Sequence, residues 1–196
     1  MKHPGHARDV LDALRFLTKW PDGAPFDNTR LYLIGHSAGA HMLTSIFLDA
    51  AASFTPLPAD NDYLRPEESI LRAVRGIALA SGIYDLNKLI ASFNDYDQGF
   101  IKNAFREPYE FWNTTRYPLH AAAQPIRWLV IHSTGDTLVD LPQSECIYEH
   151  LKRLYAERQW DEERVTKDWE TITTGHHYTN LPPFAQIIAD WMVKDI

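Results

Sequence analysis

The stretch that most constrains this chain is "LYLIGHSAGAHM", Leu31 to Met42. An apolar run stops at Gly35, a serine follows between two glycines, and the pattern then turns helical. A short apolar run bounded by turn signals reads as a strand buried on both faces of a parallel sheet. A strand that passes straight into a helix must approach it closely at the corner, so small residues are required there. Gly35 and Gly39 are expected to meet that need, with Ala38 adding little bulk.

The rest of the chain repeats the alternation of strand and helix. Val10, Leu14 and Leu17 recur at helical spacing and predict an amphipathic helix over Ala7–Trp20, ended by Pro21 and Asp22-Gly23. Further helices are predicted over Ala38–Ala52, Ser144–Arg158 and Phe184–Val193. Buried strands are predicted at Leu31–Ile34, at Val74–Gly82 ("VRGIALASG") and in "WLVIHSTGD", Trp128–Asp136, which runs into a turn. A fourth is expected in "DWETITTG", Asp168–Gly175, and "TPLPADNDYLRPEES", Thr55–Ser69, reads as a loop. Together these imply an α/β fold, a mostly parallel sheet with helices on both faces, in one domain over 1–196. The irregular, aromatic-rich segment 86–125 is expected to form a cap or lid insertion.

Bulk properties narrow the partners. A formal charge of −7 on 196 residues argues against nucleic acid and against an anionic membrane surface. One cysteine, Cys146, excludes a disulfide within the chain and suits a reducing compartment. It is expected to be buried on its helix. No run approaches transmembrane length, and "MKHPGHARDV" lacks the apolar core of a signal peptide, so a cytoplasmic location is expected.

In a parallel sheet, ligands bind beyond the carboxyl ends of the strands. Ser37, Ser81, Asp136 and the His176-His177 pair each follow one predicted strand. "GHSAG" has the form G-x-S-x-G, a nucleophile elbow that lifts a serine hydroxyl out of the sheet. The plainer alternative is a tight glycine turn with a serine helix cap. A serine hydroxyl needs a base, and the base needs an orienting acid. In elbow enzymes these follow the serine in the order acid, histidine. Asp136 fills the acid position. Asp140 is a second candidate, and Asp85 is better placed to cap the segment after it. Only one of the tandem histidines can face the elbow in an extended turn, and His177 is the expected base. His36, Ser81 and Tyr84 are expected to line the substrate pocket, while packing or hydrogen bonding is expected of His36, His41 and His132 rather than direct chemistry. No metal is expected.

"GHSAGAHM", "SGIYDL" and "IHSTGDTLVDLPQS" resemble the kynurenine formamidase (arylformamidase) branch of the α/β-hydrolases. "NAFREPYEFWNTTRYPL" is similar to a further segment of that branch, with Arg106 where a glycine is usual and Tyr117 in place of a serine. The resemblance implies an α/β-hydrolase fold, with Ser37 as nucleophile, Asp136 as acid, His177 as base and the Ala38 N–H as one oxyanion donor. It also implies hydrolysis of N-formyl-kynurenine to kynurenine and formate, with no cofactor and a small molecule as partner. Phe93, Tyr96, Phe100, Phe105, Tyr109, Phe111 and Trp112 could line an aryl pocket or pack a cap onto the sheet.

The branch carries an upstream histidine-glycine-glycine motif whose N–H groups complete the oxyanion hole, and Pro4-Gly5-His6 is not that motif. The expectation is an N-terminally truncated fold with the Leu31–Ile34 strand at an exposed sheet edge, open to pairing in a homodimer. Two other functions compete with the formamidase: a general carboxylesterase, and a catalytically impaired hydrolase-like binding protein.

Overall fold

A computed structural model describes residues 2–21, 23, 25–53 and 64–194. Four strands, β1 (Leu31–His36), β2 (Val74–Ala80), β3 (Arg127–Ile131) and β4 (Val165–Asp168), form one parallel sheet in the order β1-β2-β3-β4. The helices are α1 (Gly5–Thr18), α2 (Ala38–Phe47), α3 (Glu68–Ala73), α4 (Leu86–Ser92), the short turn α5 (Lys102–Ala104), α6 (Leu141–Glu157) and α7 (Pro182–Val193). Of the loop expected over Thr55–Ser69, 55–63 lie outside the described residues and Glu68 already opens α3.

Alternation along the central strands builds two cores. Ile77 and Leu79 of β2, with Trp128 and Val130 of β3, point into the larger core with α1, α2, α3 and α6. Ala78, Ala80, Leu129 and Ile131 point the other way, against Phe184, Ile188 and Trp191 of α7. Successive strand side chains face opposite sides, so strands covered on both faces must be apolar throughout. That is why β2 and β3 were legible as continuous runs. β1 forms one edge of the sheet, and its Ile34 is 49% exposed.

Beyond shifts of a few residues at helix starts, the fourth strand and the end of α2 differ from expectation. The fourth strand is Val165–Asp168, and Trp169–Gly175 is a loop. The Asp168 carboxylate accepts from the N–H groups of Glu170 (3.3 Å) and Thr171 (3.0 Å), which turns the chain out of the ladder. Helix α2 ends at Phe47, because Leu48 is extended and bridges to Leu119. Asp49 then caps a separate turn at Ala50–Ala52.

The segment 86–125 winds through short helical turns, and its apolar side chains form a third core. Leu86, Leu89, Ile101 and Phe105 pack with Ile83 and Val139, while Phe93, Tyr96, Tyr109 and Trp112 close around them. The aromatic run therefore packs largely on itself, with Phe93 stacked on Tyr96 at 4.9 Å and Phe100 41% exposed at its margin. Ser92 donates to Asp140 (2.6 Å) and the Tyr96 hydroxyl to the Leu138 carbonyl (2.9 Å), tying the segment to the turn that holds Asp136. Asp140 is thereby engaged in this tether, and Asp85 caps α4 through the Lys88 N–H at 3.0 Å.

Buried histidines make the fold acid-sensitive. His41 is 2% exposed, its Nδ1–H donates to the Ile83 carbonyl (3.0 Å), and its ring lies edge-on to His3 at 4.8 Å. Burial pushes the His41 imidazole down to about 4. A base whose pKa is lower folded than unfolded takes up its proton preferentially in the unfolded state, so stability falls as pH drops below the unfolded value near 6.5. Between pH 6.5 and 4 this one group is expected to remove about 1.4 kcal/mol per pH unit. Melting curves at pH 7 and 5 should show the fall, and His41→Gln should flatten it.

Candidate active site

The turn between β1 and α2 has the geometry of an elbow. Ser37 sits at φ 54°, ψ −120°, a left-handed conformation rare for a side-chain-bearing residue and enriched at functional sites. Its N–H donates to Ala80 O (2.9 Å), extending the ladder with β2 by one residue. Its carbonyl starts the helix by accepting from the N–H groups of Ala40 (3.1 Å) and His41 (3.4 Å). The Ser37 hydroxyl makes no capping hydrogen bond to α2, so the helix-cap explanation of the serine fails.

The two flanking glycines are not equivalent. A Cβ on Gly35 would stand 2.7 Å from the backbone of both Gly39 and Ala40, so strand and helix could not meet. A Cβ on Gly39 would meet nothing within 4 Å, contrary to the expectation that both are needed. Gly35→Ala is expected to cost several kcal/mol or to prevent folding. Gly39→Ala is expected to be neutral or to stabilise by up to about 1 kcal/mol, because alanine favours helix. Urea unfolding of the two variants checks both outcomes.

The acid lies where the sequence predicts it, in the turn after β3, and it is fully engaged. The Asp136 side chain has no exposed surface. Its Oδ1 accepts from the N–H groups of Leu138 (2.9 Å) and Val139 (3.0 Å), and its Oδ2 lies 2.7 Å from Nδ1 of His176. Burial alone would raise its pKa, but the hydrogen bonds from Val139, His176, Leu138 and Ser81 outweigh it and hold the carboxyl below its ordinary value.

The histidine on Asp136 is His176, which corrects the expectation of His177. The chain 176–178 alternates inward, outward, inward: His176 and Tyr178 are buried and His177 is exposed. Tyr178 is fully buried against Phe184, which fixes the phase. The loop before it is stitched to the acid turn by His132 N–H to Asp168 O (3.0 Å), Thr134 N–H to Ile172 O (3.1 Å) and the Ser133 hydroxyl to Thr174 O. His36 completes the clamp. Its Nε2–H donates to the His176 carbonyl (2.9 Å), and the two rings lie 4.5 Å apart. With Nδ1 of His176 given to Asp136, Nε2 on the far side of the ring is left for other partners.

The other expected pocket residues fall differently. Ser81 is fully buried at φ 40°, where its Oγ accepts from the Tyr178 hydroxyl at 3.0 Å. It is thus engaged by Tyr178 in the interior and does not line an open crevice. Tyr84 has no exposed surface and belongs to the larger core, where burial pushes its phenol pKa up. His132 is buried behind the acid turn with Nδ1 2.9 Å from the Ser144 hydroxyl. Cys146 is half-buried, donates to Gln143 O at 3.1 Å, and is pushed up to about 12 by burial. Sequence reasoning missed Tyr178. The signal for it was a large side chain two residues after the required histidine.

Among the described residues no group of three or more His, Cys, Asp or Glu is arranged to hold a metal ion, and no helix is long and apolar enough to cross a membrane. The site's chemical capacity is that of an oriented imidazole on an ionised carboxylate, with the strained Ser37 at a helix N-terminus one residue from His36, whose ring packs on that imidazole.

Comparison with known proteins bears on the family and the fold. A family model described as BD-FAE matches residues 1–151. The kynurenine formamidase of Debaryomyces hansenii is 25% identical over 187 residues, covering 77% of this chain and 62% of that protein. That of Eremothecium gossypii is 28% identical over 145 residues, covering 74% and 57%. The chain therefore spans about six tenths of the length of these curated relatives. Among solved structures, a lipase/esterase from Lactobacillus plantarum superposes with a TM-score of 0.59 at 17% identity, covering 98% of this chain and 67% of that one. A carboxylesterase from Lactobacillus plantarum WCFS1 gives 0.62 at 16% identity, covering 100% and 70%. On the family match, the chain belongs to the BD-FAE family, with the α/β-hydrolase fold of the similar solved structures and with kynurenine formamidases among its relatives.

Proposed function

We propose that this chain is a serine hydrolase that cleaves a small aryl formamide, N-formyl-kynurenine, to kynurenine and formate, with Ser37 as nucleophile, His176 as base and Asp136 as orienting acid. The observation that carries the reading is the 2.7 Å contact between Asp136 and His176 Nδ1, and it is supported by the strained Ser37, which caps nothing and whose neighbour His36 packs on the His176 ring. In this reading His176 Nε2 takes the Ser37 proton as Oγ attacks the formyl carbon. The Ala38 N–H and the N-terminus of α2 stabilise the negative charge on oxygen. Collapse breaks the C–N bond, His176 returns the proton to the leaving arylamine, and Ser37 carries the formyl group as an ester. Water, deprotonated by His176, then releases formate and restores the serine. The segment 86–125 serves as the cap beside the acid turn, and the location is cytoplasmic.

A general carboxylesterase is the second reading, supported by the esterase names of the similar structures. The same acyl-enzyme chemistry serves both, and only the pocket separates them. Formate release from N-formyl-kynurenine, compared with hydrolysis of a simple aryl acetate, tests the choice. The formamidase reading expects kcat/KM at least 100-fold higher for the formamide, a difference of about 2.7 kcal/mol in transition-state binding. The reverse order would favour the esterase. Turnover of neither by a folded sample would favour a binding protein.

A further inference from the structure

Ser81 and Tyr178 form a buried polar pair that the proposed reaction does not touch. Ser81 directly follows β2, and its N–H donates to Ile131 O at 2.9 Å, continuing the ladder with β3. Its φ of 40° is a region that glycine enters freely and serine does not. Through its backbone bond to Ile131, Ser81 stands beside the carboxyl end of β3. There its Oγ accepts from the Tyr178 hydroxyl at 3.0 Å, and the Ser81 hydroxyl is among the groups that hold the Asp136 carboxyl below its ordinary value. A hydroxyl has one proton, and one that already accepts from a neighbour is free to give that proton elsewhere.

We propose that Tyr178 and Ser81 are positioning residues for the acid: the phenol O–H orients the Ser81 hydroxyl, which donates to Asp136 and fixes it against His176. The order of donation is Tyr178 to Ser81 to Asp136, and each group then has the partner its chemistry requires. Burial pushes the Tyr178 phenol pKa up, so it keeps its proton throughout the working range. Asp136 gains a donor beyond the two backbone N–H groups and the imidazole, and charge-assisted hydrogen bonds of this kind are the stronger class. This role rests on the hydrolase reading of the site.

Three variants test it: Ser81→Gly, which relieves the backbone strain while removing the hydroxyl, Ser81→Ala, and Tyr178→Phe, which removes one oxygen at constant shape. Unfolding midpoints establish that each is folded. Ser81→Gly is expected to lower kcat roughly tenfold with KM within about twofold, the effect of one such hydrogen bond on the transition state. Side-chain carboxyl ¹³C NMR is expected to show Asp136 titrating at higher pH in Ser81→Gly, with a smaller rise in Tyr178→Phe. The titratable groups facing Asp136 are His176, His36, His132, Tyr96 and Tyr178, and Ser81→Gly leaves all of them in place. An unchanged Asp136 titration in Ser81→Gly would overturn the proposal, as would an unchanged kcat alongside a shifted titration. If the wild type hydrolyses nothing, the hydrolase reading fails by itself, and the Asp136 titration still decides whether the relay exists.

Discussion

Replacing His176 by alanine is expected to lower kcat by roughly 10⁴-fold, the upper range for loss of a positioned general base, while His177→Ala stays within a few-fold of wild type. The contrast follows from where the two rings sit. His176 is 6% exposed and bonded through Nδ1 to a carboxylate with no exposed surface. His177 lies on the outside of the same turn, with its ring centre 5.2 Å from that of His176. Only the buried ring has its tautomer fixed, and a serine can be deprotonated only by a nitrogen that lacks a proton. Steady-state kinetics of both variants on the better substrate reads the difference. Equal losses would mean that the acid–base contact is structural.

Asp136→Asn is expected to reduce kcat by a comparable factor, about 10⁴, with little change in size or shape. The carboxylate accepts from two N–H groups through Oδ1 and faces His176 Nδ1 through Oδ2. An amide has one oxygen. If that oxygen meets Leu138 and Val139, the NH₂ faces His176, Nδ1 must accept, and the proton moves to Nε2, where it blocks the base. If the amide is turned round, two backbone donors face a third. Either arrangement leaves a buried polar group badly paired, so stability should also fall by about 1–3 kcal/mol. A kcat within tenfold of wild type, in a folded variant, would contradict the role given to the acid.

The parts of the site legible in the sequence were those set by backbone geometry. Gly35 to Gly39 announced a strand-to-helix corner, and Asp136 followed an apolar strand, because a buried parallel strand leaves its polar residues at its end. The choice between His176 and His177 was not legible by strand counting. It depends on the phase of an irregular loop, and that phase is set by the burial of Tyr178 and by bonds to a distant turn. The fourth strand was misplaced for a related reason. "VTKD" is an edge strand with polar residues on its open side, while "WETIT" has the β-branched composition of a strand but is turned out of the sheet by Asp168. Ser81 and Tyr84 sit close together in "SGIYDL", yet Ser81, at a positive φ, meets the Tyr178 hydroxyl while the Tyr84 ring enters the larger core. Local spacing carries no record of such a turn.

Reaction of the folded chain with a fluorophosphonate, followed by mass spectrometry of the labelled peptide, asks most directly whether the hydroxyl at residue 37 is activated. The expected result is one adduct per chain on the peptide bearing Ser37, absent in Ser37→Ala and greatly slowed in His176→Ala. A folded wild-type chain that stays unlabelled, or that carries its adduct on another residue, would contradict the account.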